Sequence, residues 1–166
     1  MTSGRARGRP SLLSSRARVH IDSKGRFHRI TDSSAPAVDV RFDHTIVPAI
    51  DKRASAEFFA EIFGLPAPVE VGSFLQVRLT DGRIFDFAEP GIEFPGQHFA
   101  FLVDDPTFDA LVERLRAWGI DHWADPQGRH PGEVNHDHGG RGVYFCDPAG
   151  HYLEALTARY DGSSLS

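Results

Sequence analysis

Apolar positions along this chain switch between a two-residue and a 3.6-residue rhythm, and from residue 41 onward the switching is regular. Residues 42–49 read as a strand. Asp51 to Ser55 opens a helix with acid at its positive end, Phe58, Phe59, Ile62 and Phe63 supply the helical stripe, and Gly64 stops it. Three strands are predicted next, over about 69–72, 73–80 and 83–88, with Asp81-Gly82 as a hairpin turn between the last two. After a loop carrying Pro90, Gly91, Pro95 and Gly96 the same order recurs. A strand over 97–103 precedes a helix over 105–118, with Phe108, Leu111, Val112 and Leu115 on one face and Gly119 as its stop. Then come a short strand at 122–125, a polar loop over 126–141, a strand over 142–146, a turn at 147–150 and a strand over 151–157.

The order is βαβββ twice, and the spacings repeat with it. His44 precedes Asp51 by seven residues and His98 precedes Asp105 by seven, while the segment 81–86 lies over 149–154. Neither copy alone covers its own sheet, so internal repetition of this kind is a fold-level signal. The expected fold is α+β: two βαβββ modules, about 41–90 and 96–158, related by a pseudo-two-fold and forming a curved, half-barrel-like mixed sheet. The 126–141 loop is an insertion in the second copy.

The length of 166 residues suits one domain with a tail. Residues 1–40 hold eight basic and three acidic residues, and 41–166 hold ten basic and twenty acidic, a net of −10. So acidic a body repels phosphates, which argues against nucleic-acid or anionic-membrane partners. The single cysteine, Cys146, excludes an intramolecular disulfide framework and a paired-cysteine zinc knuckle. No stretch approaches the ~18 apolar residues of a membrane helix, so a cytoplasmic protein is expected. Residues 1–40, rich in Ser, Gly, Pro and Arg, read as a disordered basic tail; a transit peptide or a basic arm touching the acidic body are the other readings of that composition. Within it, 19–21 and 27–30 suit a short strand or hairpin. Arg outnumbers Lys sixteen to two, a weak pointer to a bacterial source. The domain is expected over 41–160, with 161–166 a flexible end.

In each copy the first strand opens on a histidine, His44 or His98, and the last strand carries a carboxylate at the matching place, Asp86 or Glu154. Under a pseudo-two-fold these four side chains converge. An imidazole among Phe99, Phe101 and Leu102, or a carboxylate beside Leu153 and Leu156, needs a polar partner. A divalent ion satisfies all of them, and two histidines with one carboxylate leave positions open for substrate or water. The plainer reading pairs His44 with Asp43 and leaves the carboxylates on solvated faces; matched places in a repeat weigh against it.

Asp43-His44-Thr45-Ile46-Val47, Gln97-His98-Phe99-Ala100-Phe101-Leu102-Val103 and the run from Gly140 to Glu154 resemble the vicinal oxygen chelate superfamily. That superfamily includes glyoxalase I, fosfomycin-resistance transferases, extradiol dioxygenases and metal-free bleomycin-resistance proteins. The resemblance implies one divalent metal ion per chain (Fe, Mn, Ni or Zn) held by His44, His98 and Glu154, with Asp86 at a fourth position, one methylene shorter than the usual Glu. It implies a homodimer, sometimes with copies exchanged between subunits, and a small-molecule substrate. The expected chemistry is Lewis-acid stabilisation of an oxyanion on an oxygen-rich substrate by a lyase, isomerase or transferase; the alternatives are an extradiol-type dioxygenase using Fe(II) or Mn(II), and a metal-free binding protein.

Tyr144, ten residues before Glu154, matches the spacing of an active-site tyrosine in extradiol dioxygenases, and together with Asp86 is a candidate catalytic residue. The Gly-rich polar loop before Arg141 suits a lid. Within and beside it, Arg141 and His136 are candidate substrate-binding residues. His151 and Cys146 are expected to be structural.

Overall fold

Val19 faces Arg29 and Ile21 faces Phe27 across a small antiparallel hairpin of strands β1 (Val19–Ile21) and β2 (Phe27–Arg29). The computed structural model describes residues 19–21, 23–29 and 38–165, and in it the chain divides after Arg41 into two units. The hairpin belongs to the first and stands where the sequence suggests one. The expectation of disorder over 1–40 falls largely on 1–18, 22 and 30–37, outside the described residues.

The second unit is built from the repeat. Strand β3 (His44–Pro48) leads into helix α1 (Lys52–Phe63), followed by β4 (Val69–Val71), β5 (Phe74–Arg78) and β6 (Ile84–Ala88). The second copy runs β7 (His98–Leu102), α2 (Asp105–Ala117), β8 (His122–Trp123), β9 (Gly142–Cys146) and β10 (Tyr152–Leu156). Both helices start on an aspartate. Asp51 accepts from the N–H groups of Arg53 and Ala54, both at 2.9 Å, and Asp104 accepts from that of Thr107 at 3.0 Å. The second cap is thus one residue earlier than the helix start read from the sequence. Gly64 closes α1 at φ +70°, a left-handed conformation that glycine enters without a Cβ clash.

Each module forms a four-stranded mixed sheet, in the orders β3-β6-β5-β4 and β7-β10-β9-β8. The register repeats with the order. His44 lies opposite Ile84, and His98 opposite Tyr152. One step further in, Ile46, Asp86, Gln76 and Val69 form a row across the first sheet, matched by Ala100, Glu154, Tyr144 and Trp123 across the second. The pseudo-two-fold is therefore a fact of pairing, and the α+β architecture of two similar modules is as the sequence implies.

Alternation within the strands decides what goes inside. Phe85 and Phe87, Leu153 and Ala155, and Val143 and Phe145 are buried, and Phe99 and Phe101 pack against them, in a core shared by both modules. Phe59 of α1 stands at its centre, with ring centroids of Phe63, Phe85, Phe87 and Phe101 at 5.0 to 5.7 Å. Fully burying each such side chain is worth about 1.5–3 kcal/mol. Because these residues turn into one common core, the intervening residues of each sheet, which include the candidate site residues, face away from it.

His151, wholly buried, links the modules. The N–H of Gln97 donates to its Nδ1 at 2.9 Å, and its Nε2–H donates to the carbonyl of Pro48 at 2.7 Å. The structural role expected for it is the one it has.

Candidate functional site

His44 opens β3, and its side chain is 53% exposed. Its Nδ1–H donates to Asp43 Oδ2 at 2.8 Å, which leaves Nε2 with its lone pair outward. That hydrogen bond, with the charges of Asp43 and Asp86, holds the imidazole above its ordinary pKa. The plainer pairing of His44 with Asp43 is thus real, and it is also the arrangement that orients a ligating histidine. On the neighbouring strand, Asp86 is only 6% exposed, and its Oδ1 is buried with no hydrogen-bond partner. A carboxylate oxygen in that state lacks the donor or cation that its burial calls for.

The matching half of the second module is more closely knit. Glu154 is 3% exposed. Its Oε1 accepts from the Tyr144 phenol at 2.8 Å, and its Oε2 accepts from the Nε2–H of His98 at 3.2 Å. A second phenol, Tyr160, stands 3.3 Å from Oε2 and 3.5 Å from Oε1. Burial, then the bond to Glu154 and its charge, pushes the Tyr144 phenol far above the usual tyrosine range. At neutral pH Tyr144 is therefore a hydrogen-bond donor.

The convergence of His44, His98, Glu154 and Asp86 expected within one chain does not occur. Among the described residues no three His, Cys, Asp or Glu side chains gather as a metal site. The core takes Phe85, Phe87, Leu153 and Ala155, so the alternating candidate residues stand on the other face of each sheet. What one chain presents is two half-sites, His44 with Asp86 and His98 with Glu154. Their donor chemistry suits a divalent ion: two imidazoles, an unpartnered buried carboxylate oxygen, and a buried carboxylate whose charge is met only by phenols and one imidazole.

The two expected substrate contacts differ in setting. Arg141 is committed to α2, donating to Asp109 Oδ1 and Asp105 Oδ1, both at 2.5 Å, with its guanidinium carbon 4.6 Å above the Phe108 ring. It pins the end of the loop to the helix, because two carboxylates one helical turn apart match its fork. His136 is exposed and lines neither cavity described below. The loop itself is tied down rather than loose. Asp125 accepts from the N–H groups of Gln127, Arg129 and His130, and Asn135 exchanges backbone hydrogen bonds with Gly142. Gly140 lies so close to β10's end that a Cβ there would stand 2.6 Å from the Ala158 methyl. Cys146 is half-buried, and burial pushes its thiol up, as suits an inert strand residue.

Tyr160 is the site residue that sequence reasoning misses. It lies six positions beyond Glu154, past the end of the strand, and only the turn that follows brings it back. A void of about 30 Å³, the size of one water, lies beside Glu154, Tyr144, Tyr160, His138, Asn135 and Arg141. A larger cavity of about 570 Å³ opens by the end of β7, among Phe63, Leu79, Arg83, Phe85, Phe101 and Arg159. None of His44, Asp86, His98, Tyr144 and Glu154 lines it.

No family model matches the chain. Solved structures do. Oxidase ChaP-H1 is similar at 49% identity over 74% of this chain and 99% of its own, with a TM-score of 0.72. Oxidase ChaP-H2 is similar at 46% identity over 76% of this chain and 100% of its own, with a TM-score of 0.73. A glyoxalase/dioxygenase from Nostoc punctiforme is similar at 26% identity over 74% of this chain and 97% of its own, with a TM-score of 0.54.

Proposed function

Because this chain belongs to the vicinal oxygen chelate superfamily, we propose that it is a metal-dependent enzyme that oxidises a small, oxygen-rich molecule at a centre completed by two copies of the chain. The observation that carries the reading is the pair of half-sites in matched register, with no three candidate ligands gathered among the described residues of one chain. His44 of one copy with His98 and Glu154 of the other supply the ligands, and Asp86 stands beside them. Half-exposed apolar residues on both faces, Ile46 and Val69 on one and Tyr152 on the other, support a partner that covers them.

Similarity to two oxidases over nearly their whole length moves the balance from the non-redox chemistry that the residues first suggest to oxidation. When bound, a redox-active divalent ion supplies one-electron chemistry with oxygen and a Lewis acid for two neighbouring substrate oxygens. Around it the chain's own groups divide the work. Asp43 keeps His44 in the tautomer with Nε2 free. Tyr144, protonated at neutral pH, fixes one oxygen of Glu154 and leaves the other to face His98. Asp86, with an oxygen that accepts from nothing, is the group able to take a proton from a substrate hydroxyl.

Subunit mixing tests the shared centre. His44→Ala and His98→Ala chains are each expected to be inactive after loading with Fe(II) under anaerobic conditions and exposure to oxygen and catechols. Refolded together, they should recover about one intact site in four, all of them in mixed dimers. No recovery, or a monomer in solution at activity-assay concentrations, would overturn the two-copy centre. Equal turnover with Zn(II) and Fe(II) would overturn the oxidative reading.

A further inference from the structure

Glu154 is a buried carboxylate that needs donors, and one of its three comes from outside the sheet. After β10 the chain turns back on itself. The N–H of Arg159 donates to the Ser163 carbonyl at 2.7 Å, that of Gly162 donates to the Arg159 carbonyl at 2.8 Å, and Ala158 bridges Ser164. Asp161 closes the turn by accepting from the Ser163 N–H at 2.9 Å and the Ser163 hydroxyl at 2.7 Å. Residues 158–164 thus form a self-contained flap, and it carries Tyr160.

Tyr160 is 67% exposed, and the aromatic ring it meets is that of His138, at 5.1 Å between centroids. His138 itself sits at φ +56°, the one non-glycine residue in the left-handed region among those described. Such a conformation is sparsely populated and persists where the surroundings demand it. A mostly exposed phenol therefore reaches a nearly inaccessible carboxylate from a flap on one side, steadied by a strained loop residue on the other. Its hydrogen bond is long and shared between both oxygens, in contrast to the short bond from Tyr144. The oxygen it approaches more closely, Oε2, is also the one facing His98 Nε2, so Tyr160 and an incoming cation compete for the same lone pairs.

Resting on the metal-centre reading above, we infer that Tyr160 is a placeholder: its phenol satisfies Glu154 in the unloaded protein and swings off when a divalent cation takes the carboxylate, opening the space between the flap and His138. Tyr144 stays, because its oxygen is the other one and its ring belongs to the sheet. The flap needs no refolding for this. The moving group is one exposed side chain, which gives up a ring contact with His138.

The test is a Zn(II) titration of the full chain carrying 3-fluorotyrosine, followed by fluorine NMR and calorimetry. The resonance missing from Tyr160→Phe identifies Tyr160. On saturation it is expected to move and to acquire the solvent isotope shift of a free fluorotyrosine, and Tyr160→Phe should bind Zn(II) about three- to tenfold more tightly, the worth of one competing hydrogen bond. Zn(II) binding with an unmoved Tyr160 resonance, or equal or weaker binding by Tyr160→Phe, would overturn the placeholder and leave the metal centre standing. Zn(II) binding that survives His98→Ala, or no binding by the unsubstituted chain, would overturn both.

Discussion

The phenol of Tyr144 donates to Glu154 Oε1 at 2.8 Å, from a residue directly opposite it on the adjacent strand. Burial and this bond raise Tyr144, and the neighbouring Glu154 charge raises Tyr160. A phenol whose folded pKa exceeds its unfolded one stabilises the fold fully below the unfolded value near 10, and that stabilisation is lost as pH rises through the folded pKa. In an alkaline titration followed by tyrosinate absorbance, two of the three tyrosines should therefore ionise late. Glu154→Gln should bring both back toward the ordinary range and flatten the fall in melting temperature above pH 10; an unchanged titration curve would contradict the pairing.

Asp86 sets stability against function. Its buried Oδ1 lacks a partner, and an uncharged amide of similar shape fills the same place without burying a formal charge. Asp86→Asn is expected to raise the melting temperature of metal-free protein while shrinking the further rise that Zn(II) gives. Scanning calorimetry with and without the ion measures both, and a lower metal-free midpoint would count against an unmet carboxylate.

Arg141 is held by α2 while it lines the small void beside Glu154. Its carboxylate partners Asp105 and Asp109 are largely exposed, so the pairs are screened and Arg141→Met should cost no more than about 1 kcal/mol. Its effect should fall on the loop it anchors: faster proteolytic cutting and amide exchange within 126–141, with Zn(II) affinity unchanged. A large loss of Zn(II) affinity would contradict an anchoring role.

Phe59 joins the modules. Its ring meets Phe85 and Phe87 of the first and Phe101 of the second. Phe59→Ala should cost about 3–5 kcal/mol, read from denaturant unfolding, since it empties the centre of the shared core. Phe58, only partly buried at the cluster's edge, should cost clearly less on the same substitution.

The repeat, both helices with their stops, the strand order's beginnings and the four residues at matched places were legible from residue 41 onward, because periodicity and turn chemistry are local and act through neighbours a few positions apart. Asp86 and Glu154 could be paired with each other by counting alone, and so could His44 and His98. Which face of each sheet turned inward toward the other module was not local. Phe59, Phe85 and Phe101 meet across 42 residues of chain, and their packing in one core, rather than two, leaves His44 and His98 on the strand faces that point away from it. Arg141 offered the same charge to a substrate or to a helix, and only the approach of α2's Asp105 and Asp109 chose between them. Tyr160 had no signature at all, since its place on Glu154 depends on a turn closed by Arg159, Asp161 and Ser163. The sequence determined what each segment becomes and which residues correspond; packing across the chain decided which of them meet, because contact between distant segments is set by the burial of the whole core and not by any one segment's pattern.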